Sequence, residues 1–366
     1  MTSEIVDAVV IGAGLAGISA AASLQNKGLN VLLIDRFKAG SGASGAPLAL
    51  LNPATGRRAK KSWNAEVCLA KTLGELHRLQ ETSGLPIFSA NGVLRPAIDK
   101  KLAEQFIESV HKYDWPDDWV EWLDEKEIKK LIPGVVCYSG GLKIKPAATV
   151  HLPNYVNAVL AEMREKDISI FENDDYSIEH KRDWILKTKN RTFIADICIH
   201  TTGYWVKDFP DWDFLNLHAV KGQALSLYFR EQLPFCYSLS ALGYIAILPD
   251  IPNMLVAGST YEHSFKSTKP DRAGRDELLK KINRMIPGLA GTATAEKMWS
   301  GVRVTSPDKL PVIGEHPEIK GSYILNGFGS KGLIYSRHTA DILADYITDQ
   351  KPIPGQLDVC RFVNQK

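Results

Sequence analysis

The pattern of hydrophobic residues predicts that the chain begins with a strand, a helix and a second strand. Residues 5–11 form a β-branched apolar run, residues 14–27 are rich in alanine with helical spacing, and residues 30–35 form another apolar run that ends in Asp35. Apolar runs of this kind are typical of strands that are buried on both faces of a parallel sheet. We therefore predict a βαβ unit at the start of the chain.

The same periodicities predict further helices and strands along the rest of the chain. Helical spacing covers residues 62–83, 99–111, 152–165, 272–285 and 332–348. Strand-like runs cover residues 168–171, 184–187, 195–200, 222–228, 244–258 and 323–325, and strands with one exposed face are predicted at 92–95 and 141–145. Residues 39–56, rich in small and polar residues, are predicted to be a loop that lines a site. Because no repeat or low-complexity linker separates these elements, we expect interleaved domains.

Composition narrows the class of protein. The chain has 366 residues, 45% of them hydrophobic and 23% charged, which is typical of a globular protein with two domains. The net charge of +2 excludes a global field that would gather nucleic acid or anionic membrane. The five cysteines lack zinc-ligand spacing, so we expect reduced thiols in a cytoplasmic protein and no metal. We expect neither a signal peptide nor a membrane helix.

A glycine-rich motif lies between the first strand and the first helix. Gly12, Gly14 and Gly17 have the spacing G-x-G-x-x-G, and Asp35 ends the next strand 18 positions after Gly17. In this context the first glycine permits a tight turn, the second lets a pyrophosphate approach the backbone, and the third packs helix on strand. The helix N-terminus stabilises phosphate charge, and the acid binds a ribose hydroxyl. The sequence therefore predicts a dinucleotide site.

The same spacing recurs near the C-terminus in Gly327, Gly329 and Gly332, after a predicted strand and before a helix. No strand ending in an acid follows about 20 residues later, so a second dinucleotide site is rejected. We expect this loop to offer backbone N–H groups to a negative part of a ligand, for which a reduced flavin ring is well suited.

Residues 299–314 and 327–333, taken with the N-terminal motif, are similar to the FAD-dependent D-amino-acid oxidase superfamily, which includes glycine oxidase and sarcosine oxidase. The similarity spans the whole chain. It implies FAD as the cofactor and an α/β fold, in which a Rossmann-like FAD-binding domain of the GR2 type is interleaved with an α+β substrate domain built on an antiparallel sheet. We expect residues 1–48, 145–215 and 295–366 in the FAD-binding domain, and 49–144 and 216–294 in the substrate domain.

The resemblance also implies a set of FAD contacts. Residues 42–45 look like the flavin-contacting loop of the superfamily, 195–203 look like its strand under the adenine dinucleotide, and 221–223 resemble its Arg-Gly-Gln strand. The predicted contacts are Gly12, Gly14, Leu15, Ala16, Gly17, Asp35, Arg36, Ser44, Gly45, Thr202, Gly203, Arg303, Gly327, Gly329, Ser330, Lys331, Gly332 and Leu333.

Within the superfamily, residues 329–333 (GSKGL) resemble the Gly-Ser-Arg-Gly-Leu hallmark of the FAD domain of bacterial bifunctional enzymes that mature 5-methylaminomethyl-2-thiouridine in tRNA. Glycine oxidases commonly have arginine where Ser330 lies, which counts against free glycine as the substrate. Glycine, sarcosine and carboxymethylaminomethyl-uridine share an N–CH2–carboxylate unit. The resemblance therefore implies oxidation of the C–N bond of a carboxymethyl-type amine.

Five side chains are candidates for contact with the substrate or the flavin. Arg303 is predicted to anchor a carboxylate, because its planar fork gives two charge-assisted hydrogen bonds. Tyr244 and Tyr261 either line the substrate pocket or belong to the core. Lys331 lies near the flavin or the carboxylate, or else in solvent at the helix start. His263 could act as a base, but flavin amine oxidation needs none beyond amine deprotonation.

The basic run Arg57–Lys61 is the one dense cluster of positive charge in the sequence. It is either a contact for RNA phosphates or a solvated helix start. We predict a small amine or amino-acid substrate, or a tRNA, with oxygen or another electron acceptor and no membrane partner. The alternative function is a flavin-binding protein without amine oxidase turnover that acts in assembly or electron relay.

Overall fold

The structure is a computed structural model that describes residues 3–248 and 250–363. The chain forms two compact units, each assembled from separate segments. Unit 1 comprises the residues up to Gly45, Val156–Val220 and the residues from Val302 onward; unit 2 comprises Ala46–Tyr155 and Lys221–Gly301. That one unit binds FAD and the other binds substrate stays a prediction.

A parallel sheet forms the centre of unit 1. Its five parallel strands are, in spatial order, β11 (Ser169–Glu172), β2 (Val31–Asp35), β1 (Ser3–Ile11), β14 (Thr192–His200) and β21 (Ser322–Asn326). Three antiparallel strands extend the sheet: β12 (Tyr176–His180), β13 (Trp184–Thr188) and β20 (Val312–Glu315). Val9, Val10 and Ile11 are all fully buried, so both faces of β1 are covered, as its continuous apolar run predicts.

Two helices of unit 1 pack against each other beside this sheet. They are α1 (Leu15–Asn26) and α7 (Gly332–Asp349), and the Ser23 hydroxyl donates a hydrogen bond to Asp341 Oδ1 at 2.8 Å between them. Small residues of α1, such as Ala20 and Ala21, are almost completely buried and permit this close approach. Each helix begins within a glycine motif, since Gly17 lies in the first turn of α1 and Gly332 is the first residue of α7.

Unit 2 is built on a mainly antiparallel sheet. The spatial order of its strands is β19 (Ala295–Thr305), β15 (His218–Tyr228), β18 (Met254–Gly258), β17 (Tyr244–Ala246), β16 (Ser238–Ser240), β7 (Val93–Pro96), β9 (Gly141–Ile144) and β8 (Val120–Leu123). Only the pair β16 and β7 is parallel among the pairings described. β15 and β19 begin or end in unit 1, so the chain changes unit within them.

Smaller elements complete unit 2. A three-stranded sheet contains β3 (Ala49–Leu51), β10 (Ala148–Val150) and β6 (Phe88–Ser89), and a two-stranded ribbon contains β4 (Ala54–Thr55) and β5 (Lys60–Lys61). The remaining helices are α2 (Ala65–Ser83), α3 (Lys100–Lys112), α4 (Glu125–Leu131), α5 (Leu152–Glu165), which extends into unit 1, and α6 (Arg272–Met285).

Four predictions about elements are wrong. The strand at 92–95 has no exposed face, because Val93 packs into one hydrophobic cluster and Leu94 into another, on opposite faces of β7. The strand at 141–145 does have one, since Lys143 is half-buried and Lys145 is exposed, opposite the buried Leu142 and Ile144. The run 244–258 is a hairpin of β17 and β18, since these strands pair antiparallel. Residues 39–56 include β3 and β4 as well as loop. The basic run is not a helix start, because β5 contains its last two residues and α2 begins only at Ala65.

Candidate functional site

The first glycine motif of unit 1 forms a tight connection between β1 and α1. Gly12 has φ +100°, and a Cβ atom there would lie 2.8 Å from the carbonyl oxygen of Thr201. A Cβ on Gly17 would lie 1.7 Å from the carbonyl oxygen of Gly12, so only glycine permits this packing of helix on strand. Apart from the chain neighbours of Gly14, the Ser44 side chain is the one described group within 4 Å of a Cβ there, with its Oγ at 3.0 Å. The position of Gly14 is therefore accessible to a ligand, as the motif predicts.

Asp35, at the end of β2, holds the glycine motif in place. Its Oδ2 accepts a hydrogen bond from the Ala13 N–H at 2.7 Å, and its Oδ1 accepts one from the Phe37 N–H at 2.8 Å. Burial raises the pKa of Asp35, although these two N–H donors and Arg36 oppose the change. The neighbouring Arg36 forms an ion pair with Asp208 at 3.0 Å. Asp35 thus lies at the carboxyl edge of the sheet, where ligands bind in folds of this kind.

The segment after β14 meets the first glycine motif. The Thr201 hydroxyl lies 2.8 Å from the carbonyl oxygen of Ile11 and 2.7 Å from that of Gly12. The Thr202 hydroxyl oxygen is buried and has no hydrogen-bond partner in the described part of the chain. A buried hydroxyl without a partner is costly, and a polar ligand atom would satisfy it. Gly203 follows with φ +53° and begins a 3₁₀ turn.

Ser44 and Gly45 lie in a 3₁₀ turn, Ala43–Gly45, beside the start of α1. The Ser44 hydroxyl oxygen accepts a hydrogen bond from the Leu15 N–H at 3.0 Å. Leu15 and Ala16, the other predicted contacts of the first motif, are buried in the first turn of the helix. The structure therefore brings the predicted contacts from three separate segments together around one helix N-terminus.

The second glycine motif is joined to this region by Asn326. Its side-chain amide donates to the carbonyl oxygen of Gly203 at 3.1 Å, and its oxygen accepts from the Gly327 N–H at 2.8 Å. Gly327 and Gly329 have φ values of +79° and +56°. A Cβ on Gly332 would lie 3.6 Å from Leu15 Cδ1, so the N-termini of α7 and α1 are neighbours. Ser330 is exposed, and Leu333 is buried in the first turn of α7.

Lys331 precedes α7, and its ammonium group is fixed in position. Its Nζ donates to the carbonyl oxygen of Lys309 at 2.9 Å and lies 5.2 Å from the centre of the Tyr335 ring. Burial lowers the pKa of Lys331, and the charge of Lys309 adds to this effect. The alternative that Lys331 is a solvated residue at the helix start does not agree with these contacts. That Lys331 lies near the flavin or the substrate carboxylate stays a prediction.

Arg303 lies on β19, in the part of that strand that belongs to unit 1, and is half-buried. The next residue, Val304, accepts a hydrogen bond through its carbonyl oxygen from the Gly329 N–H at 2.7 Å. Thr305 and Phe328 form an isolated bridge alongside. The strand of Arg303 therefore borders the second glycine motif.

The predicted substrate residues of unit 2 differ in exposure. Tyr244, on β17, is half-buried, and its ring would contact a Cβ on Gly258 at 2.5 Å. Tyr261 is 60% exposed, just after β18, and His263 is also exposed. A surface tyrosine is not a core residue, so the core alternative is wrong for Tyr261. Whether either tyrosine contacts a substrate stays a prediction.

Lys221, whose segment resembles the Arg-Gly-Gln strand, is the centre of a polar network in unit 2. The Lys221 side chain is 2% exposed, and its Nζ lies 2.6 Å from Asp271 Oδ2 and 3.3 Å from Glu262 Oε2. The Gln223 side chain donates to Glu262 Oε1 at 2.8 Å and accepts from the Asp271 N–H at 2.8 Å. The hydrogen bond from Lys221 lowers the pKa of Asp271 to about 2. The network joins the two ends of the segment Glu262–Asp271.

Sequence reasoning missed two residues of the candidate site, Thr201 and Asn326. Both act through side-chain hydrogen bonds to residues more than 100 positions away along the chain. The signal for both was their position, since each follows or ends a central strand directly before a glycine-containing loop.

The residues of unit 1 fit the FAD that the sequence implies. Gly14 leaves the helix N-terminus accessible, Thr202 offers a buried hydroxyl without a partner, and Asp35 provides carboxylate oxygens beside it. Across residues 3–248 and 250–363, no cluster of histidine, cysteine and acidic side chains is suited to a metal ion. No helix in this same part of the chain is long and apolar enough to cross a membrane.

Comparison with known proteins places the chain among flavoenzymes. A family model described as FAD-dependent oxidoreductase matches residues 7–346. The tRNA 5-methylaminomethyl-2-thiouridine biosynthesis bifunctional protein MnmC of Aromatoleum aromaticum is 27% identical over 371 residues, which cover 95% of this chain and 57% of the relative. The glycine oxidase of Geobacillus kaustophilus is 23% identical over 357 residues, which cover 93% of this chain and 92% of the relative. The chain thus spans little more than half the length of the bifunctional relatives.

Solved structures show the same fold. The crystal structure of the glycine oxidase from Geobacillus kaustophilus has a TM-score of 0.84 at 21% identity and covers 98% of both chains. The L-proline dehydrogenase from P. horikoshii has a TM-score of 0.82 at 18% identity and covers 100% of both chains. These structures confirm the predicted fold class, and the match to the family model confirms FAD as the cofactor.

Proposed function

The chain belongs to the family of FAD-dependent oxidoreductases, and from this premise we propose that it oxidises the C–N bond of an amine that bears a carboxymethyl group. Two kinds of relative support this substrate class: a glycine oxidase and a bifunctional protein of 5-methylaminomethyl-2-thiouridine biosynthesis in tRNA. Because the chain spans 57% of the bifunctional relative, a tRNA substrate is part of the proposal.

The observation that carries this proposal is the hydrogen bond from the Gly329 N–H to the Val304 carbonyl oxygen at 2.7 Å. It joins the second glycine motif, which we assign to the flavin ring, to the strand that bears Arg303. A guanidinium group beside the ring would hold a carboxylate by two parallel hydrogen bonds and thereby orient the neighbouring C–H bond. Arg303 is in this proposal the anchor of the substrate carboxylate.

The other residues of unit 1 have distinct roles in the proposal. Gly12, Gly14 and Gly17 admit the pyrophosphate to the N-terminus of α1, and Asp35 accepts a hydrogen bond from a ribose hydroxyl. Thr202, whose hydroxyl has no partner among the described residues, would donate it to a bound dinucleotide. When bound, FAD would accept two electrons together with the C–H hydrogen as a hydride, while the amine nitrogen loses its proton, to leave an imine; the electrons would then pass to oxygen or another acceptor.

Lys331 and the N-terminus of α7 would both stabilise negative charge on a bound ligand. The N-terminus of a helix carries partial positive charge, and the Lys331 ammonium lies beside it. Together they favour negative charge, either on a reduced ring or on a substrate carboxylate. Because burial and Lys309 lower the pKa of Lys331, this charge is lost at a lower pH than that of an ordinary lysine.

An anaerobic titration tests the proposal. The purified protein is mixed with glycine, sarcosine, D-alanine or undermodified tRNA, and loss of the visible flavin absorbance is recorded. Bleaching by at least one carboxymethyl-type amine is the expected result. If none of the four bleaches the flavin, while dithionite does, the amine oxidase function fails and the alternative of a flavin protein without turnover of its own is favoured.

The variant Arg303→Lys tests the anchor. Loss of a bidentate charged pair costs about 1.5–3 kcal/mol, so KM for the reactive amine should rise by about one to two orders of magnitude, with FAD content unchanged. Arg191→Lys is the matched control, because Arg191 pairs on the surface with Glu4 at 3.2 Å. Equal KM values for the two variants would remove Arg303 from the site.

A further inference from the structure

The basic run Arg57–Lys61, which the proposed function does not use, lies in a hairpin of unit 2. β4 and β5 pair through Ala54 with Lys61 and Thr55 with Lys60, and residues 56–59 connect them. Gly56 and Ala59 have left-handed backbone, with φ values of +67° and +52°. Arg57 and Arg58 lie between these two residues at the end of the hairpin, and we call them the basic tip.

A buried arginine holds this hairpin. Arg95, on β7, is 2% exposed, and its guanidinium donates to the carbonyl oxygens of Ala54, Gly56 and Arg57, the last two at 2.6 and 3.3 Å. No carboxylate in the described residues pairs with it, and its Nε has no partner. Burial lowers the pKa of Arg95 to about 10. A buried cation without partners is costly, so any movement of these carbonyl groups away from Arg95 is disfavoured. The hydrogen bonds of Arg95 therefore fix the backbone of the basic tip.

A second contact fixes the other side of the hairpin. The Ser109 hydroxyl of α3 donates to the carbonyl oxygen of Ala59 at 2.6 Å, and Ala59 is completely buried. The hairpin backbone is therefore held from two elements, while its arginine side chains extend outward. A preorganised tip loses little conformational entropy when it binds.

The charge of the basic tip is only partly compensated. The Arg57 side chain is 66% exposed and forms one long ion pair, with the exposed Asp99 at 3.8 Å. Arg58 and Lys60 are exposed, and neither forms an ion pair with any residue that the structure describes. Two adjacent, exposed guanidinium groups on a fixed hairpin present planar donor forks, which suit phosphate oxygens.

We propose that the basic tip is a docking contact for the phosphodiester backbone of RNA. This inference rests on the tRNA form of the proposed function. A nucleic acid is favoured over a membrane surface, because residues 56–61 expose no apolar side chain that would insert into a bilayer. The net charge of +2 supplies no general attraction, so RNA binding has to come from such a local contact.

The test uses the FAD-loaded protein and a fluorescently labelled, unmodified tRNA transcript. Binding is measured over a series of KCl concentrations that starts at about 50 mM, where electrostatic affinity is favoured. Arg57→Glu/Arg58→Glu should weaken binding at least tenfold. It should also reduce the slope of log K against log salt by about 1.4–1.8, as expected for two lost phosphate contacts. Arg57→Gln/Arg58→Gln should reduce the slope equally, which separates lost contacts from new repulsion.

The matched control is Lys181→Glu/Arg182→Glu, which makes the same change of charge at another exposed turn, between β12 and β13. It should leave both affinity and slope unchanged. Absence of tRNA binding by the wild-type protein, equal effects of the two reversals, or binding of the tip to phosphatidylserine vesicles but not to tRNA would each overturn the inference.

Measuring the oxidation of a small amine distinguishes failure of this inference from failure of the proposed function. In one outcome, sarcosine or glycine bleaches the flavin of both the wild-type protein and the Arg57→Glu/Arg58→Glu variant, but neither protein binds tRNA. The inference then fails and the amine oxidase function stands. If tRNA binds through the tip and no amine or tRNA reduces the flavin, the inference stands and the oxidase function fails.

Discussion

At the scale of single residues, the space that a glycine leaves decides what its replacement does. A Cβ on Gly17 would lie 1.7 Å from the carbonyl oxygen of Gly12, whereas one on Gly74, within α2, would meet no described atom within 4 Å beyond its chain neighbours and the backbone of its own helix. Gly17→Ala should therefore lower both FAD content and the unfolding temperature. Gly74→Ala, the matched control, should raise stability by about 0.5–1 kcal/mol through helix propensity. FAD absorbance and thermal melts of both variants measure this, and a yellow, stable Gly17→Ala protein would contradict it.

A buried histidine makes stability depend on pH. Burial, with a smaller effect from His316, lowers the pKa of His200 to about 3 in the folded protein. The unfolded chain binds a proton near the ordinary pKa of about 6.5, so the contribution of His200 is complete above that pH and is lost as the pH falls towards 3. The slope should approach about 1.4 kcal/mol per pH unit.

The variant His200→Phe tests this dependence, because aromatic rings of Trp184, Phe209 and Trp212 already surround the imidazole. Urea unfolding between pH 4.5 and 6.5 should show a shallower loss of stability in this variant than in wild type. His263→Gln, at an exposed position, should keep the wild-type slope. Equal slopes in all three proteins would exclude His200 as the cause.

Residues whose role is local could be predicted from the sequence, and residues whose role is distant could not. The spacing of Gly12, Gly14 and Gly17 specifies a turn and a helix start within a few positions. Thr201 acts on Gly12, 189 positions away, through a side-chain hydrogen bond that no local pattern encodes. The same holds for Arg95. The sequence pattern identifies it only as a strand residue, and nothing local indicates that it is buried in the fold without a carboxylate partner among the described residues.

At the scale of elements, the Lys221 network closes an exposed loop. Glu262 and Asp271, at the two ends of this loop, both contact Lys221 Nζ. Lys221→Met should remove the common contact, lower stability by about 1–3 kcal/mol and speed tryptic cleavage after Lys266. Cleavage after Lys269 is blocked by Pro270. Lys280→Met, an exposed change on α6, should leave cleavage unchanged, and equal cleavage rates for the two variants would show that Lys221 does not restrain the loop.

Long periodic elements were predicted well, and short sheet strands were not. The bounds of α5 and α6 agree with the periodicity because each helix has a complete apolar face. β4, β5 and β6 have two residues each, too few for any alternation to be visible. β7 was predicted with one exposed face because the sequence does not reveal that hydrophobic clusters cover both of its faces.

At the scale of the whole molecule, bound FAD should stabilise the folded state. A ligand that binds only the folded state adds about 2.7 kcal/mol at 100 times its Kd. The FAD-depleted protein should therefore melt several degrees below the FAD-saturated protein, and its melting temperature should rise with added FAD but not with added NAD. Gly14→Val, which fills the accessible side of the first motif, should lose this dependence while it keeps the melting temperature of the depleted protein. If the melting temperature of the wild-type protein did not change with added FAD, the assignment of this site to FAD would be contradicted.

The order of strands in the sheet of unit 1 has a consequence for synthesis on the ribosome. β1 emerges first, yet its two neighbours are β2 and β14, and β14 is followed across the sheet by β21, which begins only at Ser322. Residues Val9 to Ile11, fully buried in the finished sheet, therefore remain without one flanking strand while more than 180 further residues are translated. Such an apolar segment with an unpaired edge is a target for chaperones and for aggregation. We expect the yield of folded protein to depend on the rate of translation through the segment before β14, which makes codon choice there a determinant of expression.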